Sequence, residues 1–192
     1  SSIYVSTDDE KIRQTVEKIG IKVPFMRPKE LATDIANSRD VLLHAIDFFK
    51  KKNAFEPECI ILLQPTSPFR TSRHIKEALK IYNSNLDMVV SVKETESNPY
   101  YVLFEENSKG FLNKSKEGSF TRRQDCPKVW EYNGAIYIIN TKSLKGLEIG
   151  EFDTVRKYEM GSIESIDIDN ELDWATSEAV IRFKKNKTRH ED

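Results

Sequence analysis

A chain of 192 residues, 38% hydrophobic and 32% charged, is long enough for one good core and too short for two comfortable domains. Its formal charge of −1 exerts no general pull on nucleic acid or an anionic membrane, so neither is expected as a partner. No apolar run approaches bilayer length and no basic-then-hydrophobic leader opens the chain. The two cysteines, Cys59 and Cys126, lack the spacing of a zinc knuckle or redox pair, so a reducing, cytoplasmic setting is expected.

Ser1 to Asp8 reads as a short strand. Asp8 or Asp9 then caps a helix with apolar spacing Ile12, Val16, Ile19, which Gly20 stops. Val23–Met26 is extended, Arg27–Leu31 is a loop, and Ser38 begins a helix with Val41, Leu42, Ala45, Ile46 and Phe49 on one face. Ile60–Leu63 suits a strand covered on both faces, ended by Pro65 and Pro68. Gln64 is thereby held at a carboxyl edge, ahead of the hydroxyls of Thr66 and Ser67 and the guanidinium of Arg70. That is how an open α/β sheet presents a polar ligand site, although a rigid turn followed by a Ser72-capped helix beginning near His74 explains the same residues.

The helix of Ile75, Ala78, Leu79 and Tyr82 leads to a buried strand, Met88–Val92. Alternating short strands and amphipathic helices indicate parallel βαβ units. Tyr100 to Phe120 has no helical period and reads as an antiparallel excursion. Asn133-Gly134, a favoured turn pair, precedes the strand Ala135–Ile139. The chain closes with Ser165–Asp169, a helix bearing Leu172, Ala175, Ala179, Ile181 and Phe183, and a solvated basic end at Lys184–Lys187. None of the seven glycines forms a glycine-rich phosphate loop. Since the chain opens directly on a strand, either the fold has no such loop or its start is missing.

In Ser165-Ile166-Asp167-Ile168-Asp169 the two-residue strand period puts both carboxylates on one face and both isoleucines on the other. Convergent carboxylates suit Mg²⁺, which takes one or two of them plus substrate phosphates; Asp169 can equally cap the last helix. Arg122 and Arg123 offer donor forks for a carboxylate or phosphate, or are ordinary surface arginines. Asn133 and Tyr137 are open to turn and strand roles. His44, His74 and His190 show no metal spacing and no partner nucleophile.

The segments VSTDDEKI, RPKELATD, LLQPTSPFR, RRQDCP, NGAIYI and SIDIDNELD, in this order, resemble the acylneuraminate cytidylyltransferases, over Ile3 to Ala179. The resemblance implies a Rossmann-like α/β nucleotidyltransferase fold with a mostly parallel sheet, filling residues 1–192 as a single domain with an antiparallel dimerisation arm near 97–131. It implies transfer of CMP from CTP to a nine-carbon acidic sugar, with release of pyrophosphate and Mg²⁺ as cofactor. By motif position, Asp167 and Asp169 would be the metal carboxylates, Gln64 would hydrogen-bond the sugar, and Tyr137 and Asn133 would line or adjoin its pocket. Arg123 would read the sugar carboxylate, delivered by the neighbouring subunit of an arm-exchanged homodimer, and Arg27 and Ser38 would lie on the nucleotide side.

Two departures qualify the match. The family's opening βα unit, with its Ala-Arg-Gly-Gly-Ser-Lys type triphosphate loop, is absent from this sequence. Asp125, and Glu131-Tyr132 before Asn133, stand where sialate enzymes often have Gln and Arg, and NPYYVLFEE resembles the legionaminate branch, so the sugar is expected to be sialic or legionaminic acid, with a slight lean to the latter. The alternatives are a non-catalytic remnant that keeps the sugar pocket and dimer arm, or a related nucleotidyltransferase using another nucleotide.

Overall fold

The computed structural model describes residues 3–33, 36–53 and 55–188; His190 lies outside the described residues, as do the first two positions of the expected opening strand. In chain order the elements are α1 (Glu10–Lys18), α2 (Ser38–Asn53), β1 (Cys59–Leu62), α3 (Ser72–Ile81), β2 (Met88–Glu94), β3 (Phe104–Glu106), β4 (Leu112–Lys114), β5 (Trp130–Asn140), α4 (Thr141–Gly146), β6 (Val155–Glu159) and α5 (Glu171–Thr188). The chain divides into two compact units, Ser1–Ile60 with Asn140–Asp153, and Ile61–Ile139 with Thr154–Asp192.

In the first unit, Asp9 rather than Asp8 caps α1, its carboxylate accepting from the amides of Lys11 and Ile12 at 2.6 and 2.9 Å. Two parallel bridges, Tyr4 with Lys22 and Thr7 with Met26, replace the continuous opening strand. The expected apolar stripe of α1 is largely uncovered, Ile12 and Ile19 being exposed. On α2 the stripe behaves as its spacing predicts, with Leu42 and Ile46 buried. Arg39 clamps α2 to the end of α4 by donating to the carbonyls of Leu144, Lys145 and Leu147, which satisfies carbonyls that a helix end leaves free.

The four-stranded sheet runs β1-β5-β2-β6. It is mixed: β2 pairs parallel with β6 and antiparallel with β5. The α/β class therefore stands, with the long β5 running against β2. The core of the second unit is the contact between β2 and β5, where Met88, Val89, Val90, Val92, Ala135, Ile136, Ile138 and Ile139 are all buried. β-branched side chains dominate because they pack well on a pleated surface covered on both faces. β1 is only half-buried along its length and ends at Leu62, one residue earlier than the hydrophobic run suggests.

The excursion is a separate antiparallel hairpin in which Phe104 faces Lys114 and Glu106 faces Leu112, and both of its strands are exposed. The expected last helix forms as α5, but its apolar residues do not make its inward face. Leu172, Ile181 and Phe183 are exposed, while Asp173, Ser177 and Val180 turn inward. The inward stripe keeps helical spacing but carries a carboxylate and a hydroxyl, which a hydrophobic reading cannot select. Replacing Ile138 by Ala should destabilise the protein by about 2–5 kcal/mol, the range for deleting a buried aliphatic side chain; chemical denaturation of both proteins measures the difference.

Candidate functional site

The site begins with a mismatch between two strands. Val90 faces Tyr137 and Val92 faces Tyr132, so on β5 four residues, Asn133 to Ile136, stand opposite Ser91 alone. Asn133-Gly134 is thus a bulge inside β5, not a turn before it. The Ser91 hydroxyl fills the gap: it accepts from the Ile136 amide at 2.7 Å and donates to Asn133 Oδ1 at 2.6 Å. Asn133 Oδ1 also accepts from the Ala135 amide at 3.2 Å, and its Nδ2 donates to Ser165 Oγ at 2.8 Å. All three side chains are buried, at 1% exposure for Ser91, 5% for Asn133 and 4% for Ser165. Asn133 is therefore engaged mainly with its own chain.

The Gln-Pro-Thr-Ser-Pro loop is tied to this bulge. Arg70 Nη1 donates to the carbonyls of Gln64 and Ala135 at 2.9 and 2.7 Å. Burial lowers its pKa from the ordinary arginine value, and through Nη1 the guanidinium braces the loop against the bulge. Thr71 caps α3 with a reciprocal bond to His74, correcting both the expected Ser72 cap and the later start. The side chain of Gln64 faces the cavity and makes no hydrogen bond among the described residues.

Residues 165–169 run irregularly from a turn at Ser165 to a bend at Asp169, and do not form the expected strand. One bond, from the Ile168 amide to the Thr66 carbonyl at 3.0 Å, stitches it to the Gln64 loop. Asp167 and Asp169 nevertheless line one open cavity of about 820 Å³ together with Gln64, Asn133 and Tyr137. Asp169 is not the helix cap. Asn170 Oδ1 accepts from the amides of Leu172 and Asp173, and Asp173 reaches back to the amides of Asp169 and Asn170. Asp169 is exposed and its carboxylate has no hydrogen-bond partner among the described residues. Asp167 Oδ1 is buried and equally without one. No group of three or more His, Cys, Asp or Glu among the described residues is placed to hold a metal. Tyr137 is half-buried, and burial first, then the proximity of Tyr132 and Asp167, raises its pKa above the ordinary tyrosine value.

Comparison with known proteins decides the family. The model described as Cytidylyltransferase matches residues 1–187. The chain belongs to the cytidylyltransferase family. Among curated relatives, it is 35% identical over 99% of its length to "N-acylneuraminate cytidylyltransferase" of Streptococcus agalactiae serotype V, of which it covers 46%. It is 34% identical to "CMP-N,N'-diacetyllegionaminic acid synthase" of Campylobacter jejuni, with 95% of this chain and 77% of the relative aligned. It is 33% identical to "Post-translational flagellin modification protein B" of Campylobacter coli, with the same coverage of both. The chain thus spans about half the length of the streptococcal relative and three quarters of the two from Campylobacter.

The remaining expected site residues, Arg123, Arg27 and Ser38, are not among those that line the cavity. Arg123 lies on an exposed short turn, Arg123–Asp125, after the excursion and does not line the cavity. Its neighbour Arg122 is occupied by Asp125, at 2.7 and 3.1 Å. Arg27, in the first unit, donates to Asp8 at 3.1 Å while its Nε is buried without a partner; that bond holds the Asp8 pKa below the usual carboxylate value. Ser38 is the exposed first residue of α2, where Asn37 accepts from the Arg39 amide. Sequence reasoning missed Lys93 and took Glu131 only as a departure from the family motif; the two are cross-strand partners paired at 3.1 Å among the residues lining the cavity, and the signal for the pair was opposite charge on two strands whose register was unknown.

Gly134 has a φ of +72°, and a Cβ there would stand 3.2 Å from Asp167 Oδ2. The left-handed backbone alone costs a non-glycine residue about 1–2 kcal/mol. Gly134→Ala should lower stability by at least that amount, read as a fall in the denaturation midpoint.

Proposed function

We propose that the protein bearing this chain transfers CMP from CTP to a nine-carbon acidic sugar of the nonulosonic class and releases pyrophosphate. The observation that carries this reading is the pair Asp167 and Asp169 on one cavity, with Asp167 Oδ1 buried and unsatisfied. An unpaired buried carboxylate oxygen is costly, and a bound cation removes that cost. Mg²⁺ fits these residues, because it takes one or two protein carboxylates and keeps oxygens of water and phosphate for the rest of its shell. When bound it polarises the phosphoryl oxygens and neutralises developing charge.

The chain's own residues do the positioning. Gln64 presents an amide with both donor and acceptor capacity toward the sugar hydroxyls. Tyr137, its proton kept on by burial, supplies a flat apolar wall and a hydroxyl donor. Arg27 and Ser38 act on the nucleotide side. The sugar hydroxyl attacks the α-phosphorus, its proton goes to solvent or a neighbouring oxygen, and pyrophosphate leaves with the bonding electron pair; such transfers depend chiefly on alignment and electrostatics. The legionaminic class is the preferred sugar, supported by relatives of that name whose length this chain covers to 77–79%. N-acetylneuraminic acid is the second reading, supported by the relatives named for it.

Arg123 is not among the residues lining the cavity, and in this proposal a second copy supplies it to read the sugar carboxylate in an arm-exchanged homodimer. In the full-length protein, Asp167→Asn and Asp169→Asn should each reduce Mg²⁺-dependent pyrophosphate release by about 100-fold or more, the several kcal/mol expected of a metal-borne charge clamp. Wild-type rates in either variant would remove the metal assignment. Arg123→Ala mixed with Asp167→Asn should regain part of the activity that each lacks alone, through mixed dimers holding one intact site. No recovery after subunit exchange would place Arg123 in its own chain's site or outside catalysis. Assaying CTP against GTP, with N-acetylneuraminic and diacetyllegionaminic acid in turn, tests base and sugar.

A further inference from the structure

We infer that Ser91, Asn133 and Ser165 form a buried positioning relay that sets the Asp167 carboxylate in the cavity, so that Ser91, a residue of β2 outside the cavity lining, governs the affinity of that carboxylate for a divalent cation. The inference rests on the proposed reading of Asp167 as a cation ligand.

Two routes lead from Ser91 to Asp167. Through the backbone, the Ser91 hydroxyl holds the Ile136 amide and so fixes the width of the bulge opposite it. That fixes Gly134, whose α-carbon lies so close to Asp167 that an added Cβ would sit 3.2 Å from Oδ2. Through side chains, Ser91 donates to Asn133, and Asn133 donates to Ser165, two residues before Asp167. Only one proton sits on the Ser91 oxygen. At 2.6 Å to Asn133 Oδ1 against 3.2 Å to the Ile136 carbonyl, it belongs to Asn133. With Asn133 Oδ1 accepting, its Nδ2 must point at Ser165, so the amide orientation follows from the network.

Buried polar networks that are fully satisfied favour a single arrangement. This one sits within a strand whose other neighbours are apolar, where simple packing would prefer Ala or Val. Its geometric effect is to hold the turn carrying Ser165 against β5 while the Ile168 amide is held by Thr66 on the other side. Asp167 lies between these two anchors. Residues that orient metal ligands without touching the metal commonly change affinity by about 10–100-fold when removed.

The test uses the full-length protein with Ser165→Ala and Ser91→Ala, with Mn²⁺ alone as the probe. Free Mn²⁺ is counted by its paramagnetic resonance signal. The expected result is a Mn²⁺ dissociation constant raised about tenfold in each variant. The Mg²⁺ concentration for half-maximal pyrophosphate release should rise in parallel, with KM for the sugar little changed. Ser165→Ala leaves no backbone amide unsatisfied and should fold even if Ser91→Ala, which strands the Ile136 amide, does not. A lowered melting temperature with Mn²⁺ affinity and Mg²⁺ requirement at wild-type values would overturn the relay and leave the three residues a purely structural role. If the wild type binds Mn²⁺, loses it in Ser165→Ala, and yet releases no pyrophosphate from CTP, the relay stands and the proposed activity fails.

Discussion

The need to satisfy one hydroxyl in the middle of an apolar strand shapes the second unit. Met88, Val89, Val90 and Val92 surround Ser91 at 1% exposure or less, and a buried polar group left unpaired costs about 1–3 kcal/mol. The opposing strand meets that demand by looping out four residues and returning an amide and a side-chain oxygen to the same point. A regular ladder would have sent alternate side chains of β5 to opposite faces without interruption. The bulge instead brings Asn133 inward, puts a left-handed glycine beside Asp167, and restores pairing at Tyr137.

Charge distribution follows the same economy. Among the described residues that line the cavity, Asp167, Asp169, Asp173 and Glu131 are acidic and Lys93 is the one base. Lys93 is already paired with Glu131, and the nearby guanidinium of Arg70 is turned to carbonyl oxygens. An acidic sugar and a triphosphate would enter a cleft of their own sign. The proposed divalent cation and an arginine from a second copy are the two sources of positive charge that such chemistry calls for. The same reasoning explains why Asp173, occupied by the amides of Asp169 and Asn170, is poorly suited to join the other two aspartates.

Strand and helix periodicity located most elements because their buried faces are largely apolar, as in α2 and, apart from Ser91, in β2. It failed where the inward face is polar: on α5 the stripe through Asp173, Ser177 and Val180 has no hydrophobic signature. Local turn chemistry also misled at Asn133-Gly134. The pair does adopt positive φ at glycine, but the partner that makes it a bulge, Ser91, is 42 residues away. The two aspartates share a cavity as expected, although the expected reason, strand alternation, is absent; the Ile168 amide donating to the Thr66 carbonyl and the Asp169 amide donating to Asp173 hold the segment instead. Arg70 looked like a ligand group because sequence shows the charge and not the two carbonyls that its Nη1 braces.

The cavity is stitched from distant parts of the chain, with Ser91 and Asn133 separated by 42 residues and Asn133 and Ser165 by 32. Contacts of such sequence separation require large loops to close before they contribute, so they form late and slow the search for the native state. Until β5 has paired with β2 there is no bulge, no seat for Gly134, and no fixed Asp167. A cation therefore cannot act here as it does in small zinc domains, where binding itself drives the chain to fold. Order runs the other way: the sheet must be complete before the site exists, and any ion that occupies it stabilises a structure already made.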